Sequence, residues 1–468
     1  MITKSLRWIA QQVNGELTGS DAMVTKVTTD TRELQKGDLY IALKGERFNG
    51  HDFVQTAEKE GACAIIASEP VETSLSVIQV ADTKLALGLL GKAVKDCVNP
   101  KTIAITGSSG KTTVKEMCAA ILSRRGAVLA TKGNFNNDIG VPLTLLELKQ
   151  EHEYAVLELG ANHLGEIAYT TDLVKPDVAT IVNAAASHLE GFGSLFGVAR
   201  AKSEIFKGLT QHGVAIVNAD SQFAPFWLGK LKQRKVKQFS PTEYNATADF
   251  YAKDISLSLD GCAEFLLCTP DGEIDIRLAL PGQHNIGNAM LAAALTMEVG
   301  ATLEDIQDGL ANMSQVKGRL NVKQIAPHIR LLDDSYNANV ASVNAAIDLL
   351  SSFSGRRILV LGDMAELGQK SRYYHEQVGL YAKEKGIDNL MTIGVLSQTA
   401  SAVFGEAGIH HTRTEDLLQS LEATLAAEFR DITLLVKGSR SARMEDVAAA
   451  IEASSLGKRN RRRERVAC

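Results

Sequence analysis

Residues 102–122 read TIAITGSSGKTTVKEMCAAIL, and the fold of the middle of the chain turns on them. The apolar, β-branched run 102–106 stops at Gly107 and Gly110, and an amphipathic helical pattern opens at about Thr112, which predicts strand, glycine turn, helix. A helix starting there aims its unpaired N–H groups and the positive end of its dipole into the turn, where an anion is favoured. Lys111 adds a point charge for outer phosphates, and the Thr112 hydroxyl can sit on a phosphate-bound Mg²⁺. Gly107, Ser108, Ser109, Gly110, Lys111, Thr112 and Thr113 are therefore candidate phosphate-binding residues. The general pattern G-x-x-x-x-G-K-[ST] requires glycine at position 105, where this chain has Ile105, so the loop is two residues shorter than usual. The plain alternative is a glycine turn with a surface lysine, but Gly-Lys-Thr-Thr at a helix start favours a nucleoside triphosphate.

At 468 residues the chain exceeds one ordinary core, and at roughly 150 residues per domain it should hold about three. Its 45% hydrophobic and 22% charged residues are ordinary for globular proteins, and a net charge of -5 gives no reason to expect nucleic acid or membrane as a partner. The basic tail GKRNRRRER reads as a solvated terminus. Cys63, Cys97, Cys118, Cys262, Cys268 and Cys468 show no C-x-x-C spacing, and several lie in apolar patterns, which fits a reducing cytoplasm. The opening MITKSLRWIAQQVNGEL lacks a continuous apolar core, so neither a signal peptide nor a membrane anchor is expected.

Along the chain, residues 1–85 alternate short strands (DLYIALKG, CAIIAS, SVIQV) with a helix near 53–60, enough for a small α/β unit. After a helical link come the apolar strands TIAIT, AVLAT, YAVLEL, VATIVN and VAIVN, each followed by a helix or loop, which argues for a parallel sheet covered on both faces. Between 246 and 281 the pattern changes to alternating strands around Asp260-Gly261 and Asp271-Gly272, an antiparallel appendage. From about 317 the strands IRLLDD, RRILVLGD, NLMTIG and ITLLVKG predict another open α/β sheet of Rossmann-like type. The expected domains are 1–85, 86–315 and 316–455, with the tail at 456–468.

Glu158 ends the strand YAVLELG, on the edge that faces the phosphate loop, where a carboxylate suits Mg²⁺. Asn183 and His188 follow VATIV and fall on the same edge. Lys202, in RAKSEIF, lies on a predicted helix beside Glu204, where residue physics alone favours a solvated charge. Asn285 and Asn288 share one face at a helix start; their amides suit an adenine edge, and Asn285 reads equally well as a helix cap. Arg319, in a loop, can meet a γ-phosphate, and Asp334, at a strand end, can bind ribose hydroxyls.

Taken together, these stretches resemble the Mur ligases. The likeness runs from TTDTRELQKGDLYIALKGERFNGHDF through TGSSGKTT, NFNNDIGVPLTLL, LELGANHLGEI, HLEGFGS, AKSEIF, HNIGNAMLAAA and DDSYNAN to LGDMAELG, and the short phosphate loop is that family's own form. It implies three domains that hold, in order, the UDP-sugar end of an acceptor, ATP, and the incoming amino acid or dipeptide. By motif, Lys111 and Thr112 would hold phosphates and Mg²⁺; Glu158 and His188 would bind metal, and Lys202, as a carbamate, would bridge to a second Mg²⁺. Asn285, Asn288 and Asp334 would contact adenosine, Arg319 the γ-phosphate, and Asn137, or the adjacent Asn136 if the match shifts by one residue, the neighbourhood of the reacting phosphate. Thr31, Arg32 and the loop of Lys44, Gly45, Phe48 and Asn49 would face the uridine nucleotide.

Two departures stand beside these positions: Val340 replaces the proline usual after YNAN, and AAAS precedes His188 where IGEA is usual. The chain lacks the D-N-P-R run of the sister ligases that add a single amino acid, and it has a first domain that folylpolyglutamate synthases lack. HLEGFGS and LGDMAELG look like the branch that adds D-alanyl-D-alanine to UDP-N-acetylmuramoyl-tripeptide. The resemblance implies a cytoplasmic, monomeric enzyme that works through an acyl phosphate and releases ADP and phosphate. A rival from another class is a nucleotide-dependent switch, which explains the loop but not a second metal set.

Overall fold

A computed structural model of the protein describes residues 1–45, 48–241, 248–314, 316–428 and 430–454, so the basic tail lies outside the described residues. The strand Lys101–Thr106 is central because its alternation serves two cores at once. Ile103 and Ile105 pack with Val114, Met117, Cys118 and Ile121 of the helix Lys111–Leu122, while Ala104 packs into the cluster on the opposite face. A strand buried on both faces belongs in the middle of a parallel sheet, and there it lies.

From one edge, the nine-stranded sheet runs Gly272–Pro281, Cys262–Thr269, Phe250–Leu257, Lys235–Ser240, Val214–Asn218, Val178–Ile181, Lys101–Thr106, His152–Glu158 and Ala127–Ala130. Pairing is parallel from Ala127–Ala130 to Phe250–Leu257 and antiparallel for the last two joins. The predicted appendage is thus a continuation of the main sheet. Its link is Lys235–Ser240, which the sequence reading passed over because KVKQFS carries no apolar run.

In the N-terminal domain five short strands line up as Glu16–Thr18, Ser76–Gln79, Ala64–Ala67, Leu39–Ile41 and Val27–Thr28. The helix Thr83–Val98 starts on Asp82, whose carboxylate accepts from the N–H groups of Lys84 and Leu85 at 2.7 and 2.9 Å, and it stops at Asn99, with φ +50°. Its Leu87, Leu90 and Val94 share one core with Leu6 and Ile9 on one side and Val141 and Leu145 on the other. A Cβ on Gly91 would lie 3.0 Å from the Pro142 carbonyl, so glycine lets this helix seat closely on the central domain.

In the C-terminal domain six strands run Asn321–Ala326, Ile329–Asp334, Ile432–Lys437, Arg356–Gly362, Asn389–Ile393 and Gly408–His411, parallel except for the first join. Ile358 and Val360 serve one face and Leu359 and Leu361 the other. Among the described residues no helix is long and apolar enough to cross a membrane.

Candidate active site

Lys101–Thr106 ends between Val178–Ile181 and His152–Glu158, so three parallel strand ends open on one crevice, the usual ligand position in such sheets. The helix begins at Lys111, one residue earlier than its periodicity suggests. Gly110 has φ +79°, and a Cβ there would meet the Asn288 side-chain oxygen at 3.0 Å; one on Gly107 would meet Val182 at 2.9 Å. Asn183 pins the turn: its carbonyl accepts from the Ser108 N–H at 3.0 Å, and its Oδ1 accepts from the Ser109 N–H at 3.0 Å. The loop therefore holds its shape without a ligand.

Lys111 Nζ donates to the Gly107 carbonyl at 2.7 Å. Burial lowers its pKa, against the pull of Glu158 and with a further push from Arg319. Glu158, 2% exposed, accepts from Thr112 Oγ1 at 3.1 Å on one oxygen and from Asn136 Nδ2 at 3.3 Å on the other. The asparagine aimed at this carboxylate is thus Asn136. Asn137, expected near the reacting phosphate, accepts from the Gly140 N–H at 2.8 Å on its Oδ1, in the turn that leads into the helix Gly140–Leu146. Spacing alone gave no reason to choose between adjacent asparagines.

The third domain reaches this crevice directly. Arg319 Nη2 donates to Thr112 Oγ1 at 3.2 Å, and its guanidinium lies 4.3 Å from the centre of the Tyr336 ring. Asn339 Nδ2 donates to the Ser108 carbonyl at 3.3 Å. His188 Nδ1 lies 2.5 Å from the carboxylate of Glu366. Tyr336, Asn339 and Glu366 carry no spacing signal of their own and were missed.

Beside the phosphate turn, Asn285, Asn288, Arg319, Asp334 and Lys437 line a cavity of about 760 Å³. Asn285 does not cap its helix; its Nδ2 donates to the Pro281 carbonyl at 2.7 Å and its Oδ1 accepts from Asn288 at 2.8 Å. Asp334 pairs with buried Lys437, which also donates to the Asn337 carbonyl at 3.0 Å. Burial pulls the Lys437 pKa down while Asp334 opposes it.

Lys202 overturns the solvated-charge reading. It ends the helix Leu195–Lys202, is 2% exposed, and is buried together with Val198, Ala199 and Ala201 of that helix. Glu204 turns away to accept from the N–H groups of Gly165 and Ala168. Among the described residues Lys202 has no ion-pair partner. Burial, reinforced by Lys111, drives its pKa well below the ordinary lysine value.

No three His, Cys, Asp or Glu side chains converge as a metal cluster among the described residues. The oxygen pair of Thr112 and Glu158 beside the phosphate turn nevertheless suits Mg²⁺, which takes few protein ligands and completes its shell with phosphate and water.

In the first domain, Lys44 and Asn49 both bond Glu69, at 2.6 and 3.1 Å, and close a loop through a backbone bridge. Phe48, 51% exposed, stacks on Phe53 with ring centres 5.0 Å apart. Gly45 donates its N–H to the Phe48 carbonyl at 2.8 Å. Arg32 follows Thr31 in a short 3-10 turn and is clamped by Asp30 at 2.5 Å, which holds the Asp30 carboxyl down at about 2.

Three family models match the chain: Mur ligase family, catalytic domain, at 23–125; Mur ligase middle domain at 105–296; and Mur ligase, glutamate ligase domain, at 318–465. The UDP-N-acetylmuramoyl-tripeptide--D-alanyl-D-alanine ligase of Escherichia coli is 51% identical, covering 97% of this chain and 99% of that protein. Its Haemophilus influenzae counterpart is 45% identical over the same shares. A crystal structure of MurF from Acinetobacter baumannii superposes with a TM-score of 0.91 at 38% identity, covering 96% of this chain and 98% of that one. MurF from Thermotoga maritima in complex with ADP gives 0.82 at 28% identity, covering 93% and 98%. On the sequence matches and on the crevice they frame, the chain belongs to the Mur ligase family.

Proposed function

We infer that this chain is the ATP-dependent ligase that joins D-alanyl-D-alanine to UDP-N-acetylmuramoyl-tripeptide in peptidoglycan synthesis, the activity for which its MurF relatives are named. The carrying observation is the meeting of Arg319 with Thr112: a cation from the edge of the third domain stands at the phosphate turn of the second. Folylpolyglutamate synthase from Mycobacterium tuberculosis, at 16% identity, shares the fold alone.

Joining a carboxylate to an amine requires an activated acyl group, and a carboxylate attacking ATP brings two anions together. Lys111 and Arg319 neutralise that approach. The tripeptide carboxylate attacks the γ-phosphorus, ADP leaves, the dipeptide amine attacks the acyl carbon of the resulting acyl phosphate, and phosphate departs. Mg²⁺, when bound, supplies further charge neutralisation of the phosphates. Thr112, Glu158 and His188 are the residues that would hold it, with Lys202 contributing as a carbamate. An ammonium cannot ligate a cation, whereas a carbamate supplies the oxygen that Mg²⁺ prefers. Burial without a counter-ion supports that reading, because it favours the neutral amine that reacts with CO₂.

Asn285, Asn288 and Asp334 serve adenosine from the cavity walls. Thr31, Arg32, Lys44, Gly45, Phe48 and Asn49 serve the UDP end, Phe48 as a stacking face. The third domain closes on the central one to keep water from the acyl phosphate. This reading sets the reaction in the cytoplasm, which fits the free cysteines Cys63, Cys97, Cys118, Cys262 and Cys268. The test is release of ADP and phosphate from purified enzyme. Release that needs both UDP-N-acetylmuramoyl-tripeptide and D-alanyl-D-alanine upholds the reading; equal release from ATP alone refutes it.

A further inference from the structure

The carboxylate of Glu366 has one partner among the described residues, and that partner is on another domain. Its Oε2 lies 2.5 Å from His188 Nδ1, and its backbone carbonyl accepts from the Leu189 N–H at 3.0 Å. The side chain is 53% exposed and bonds nothing within its own domain, so it does not build the fold that carries it. Both contacting residues have left-handed backbones, His188 at φ +51° and Glu366 at φ +63°, a region that side-chain-bearing residues rarely adopt. Two such residues meeting face to face mark a joint shaped for its contact. Next to it Gly368, at φ +65°, takes a backbone conformation that side-chain-bearing residues rarely adopt, and it lies against Glu190.

We propose that Glu366 is the positioning residue for His188, so that the imidazole takes its working orientation only when the third domain is docked on the central one. This rests on the reading of His188 as a group serving Mg²⁺. A carboxylate that accepts from Nδ1–H fixes the tautomer and ring angle and leaves the lone pair on Nε2, the arrangement metal-binding histidines commonly use. The same docking brings Arg319 to Thr112 and Asn339 to the Ser108 carbonyl. Closure thus brings the Arg319 cation and sets the imidazole in one step, onto a phosphate loop that Asn183 already shapes.

The experiment uses full-length enzyme carrying Glu366→Ala, Glu366→Gln or His188→Ala. It reads steady-state ligation, Mg²⁺ titration, melting temperature, and closure by a dye pair with one dye on each domain, in Mg²⁺ with a non-hydrolysable ATP analogue. Glu366→Ala should lower kcat on the order of 10- to 100-fold, raise the Mg²⁺ requirement and reduce the closed fraction, with the melting temperature unchanged. Glu366→Gln keeps an accepting oxygen and should recover most of the kcat. Wild-type kcat, Mg²⁺ dependence and closed fraction in Glu366→Ala would overturn the proposal, as would equal losses in both Glu366 variants with a lowered melting temperature. An inactive His188→Ala beside a normal Glu366→Ala removes only the coupling. A fully active His188→Ala removes the reading of His188 itself.

Discussion

Lys202 sits where a charged amine is costly: 2% exposed at the buried end of its helix, with Lys111 as the neighbouring charge that acts on it. Its folded pKa is depressed below the unfolded value of 10.5, so the unfolded chain binds more protons and stability rises with pH up to that unfolded value. Near neutral pH the amine therefore works against folding. Methionine has a similar stem and no charge, and replacing buried charge by an apolar side chain of like volume stabilises proteins by up to about 1–4 kcal/mol. At about 2–4 °C per kcal/mol for a domain of this size, Lys202→Met should melt at least about 2 °C above wild type in bicarbonate-free buffer.

Bicarbonate should narrow that gap. The neutral fraction of the amine attacks CO₂, the N–C bond forms as one C=O π bond opens, and the displaced proton goes to solvent; draining that fraction leaves a carbamate anion facing Lys111 in place of the ammonium. Wild type then gains melting temperature and Lys202→Met does not. The same mutation removes an electrostatic contact in the reaction and should lower kcat on the order of 100- to 1000-fold. Scanning fluorimetry with and without bicarbonate, paired with ADP release, measures both effects. A mutant that turns over like wild type, or one that melts lower and a wild type indifferent to bicarbonate, would refute the reasoning.

Lys111→Ala should abolish ligation with the melting temperature kept within about 2 °C, since a loop lysine contributes charge to phosphoryl transfer and little to the core. Arg319→Ala should reduce kcat far more than ATP affinity if its charge answers charge that develops in the transition state; a purely raised KM for ATP would instead indicate ground-state binding. Adjacent asparagines should separate: Asn136→Ala leaves Glu158 one partner short and should lower kcat by about tenfold, whereas Asn137→Ala loses the hydrogen bond from the Gly140 N–H, costs about 1 kcal/mol of stability and leaves kcat intact. Kinetics and thermal melts on the two mutants give the comparison, and matching profiles would count against the assignment.

What could be read in advance follows from range along the chain. The phosphate turn was legible because its glycines, lysine and threonine act within one strand-turn-helix unit, where spacing alone sets geometry. The covered sheets were legible because a strand buried on both faces shows an apolar run. Lys235–Ser240 was not, since at the junction with the antiparallel strands it is only partly buried and carries two lysines, Lys235 and Lys237. Lys202 defeated residue physics for a similar reason: i to i+4 neighbours say what shares a helix face, and burial depends on what packs against that face. Only the family resemblance marked it. Tyr336, Asn339 and Glu366 act across a domain boundary, and no periodicity encodes a contact between positions as distant as Ser108 and Asn339.

The charges at the crevice give closure a reason to depend on nucleotide. Lys111 and Arg319 stand about one carboxylate, Glu158, with Lys202 near enough to Lys111 to feel its charge, and Arg319 pushes the pKa of both Lys111 and Lys437 further down. Docking the third domain therefore adds a cation to a site already rich in them, which opposes closure in the empty enzyme. The phosphates of ATP reverse that balance, because each cation that Arg319 meets as a rival becomes a co-ligand of the same anion. On the proposed function, a carbamate on Lys202 would reverse it further by placing there an anion that needs Mg²⁺ as its partner. The enzyme should then close most firmly when ATP, metal and the modified lysine are all present, the state in which an acyl phosphate would form and must be kept from water.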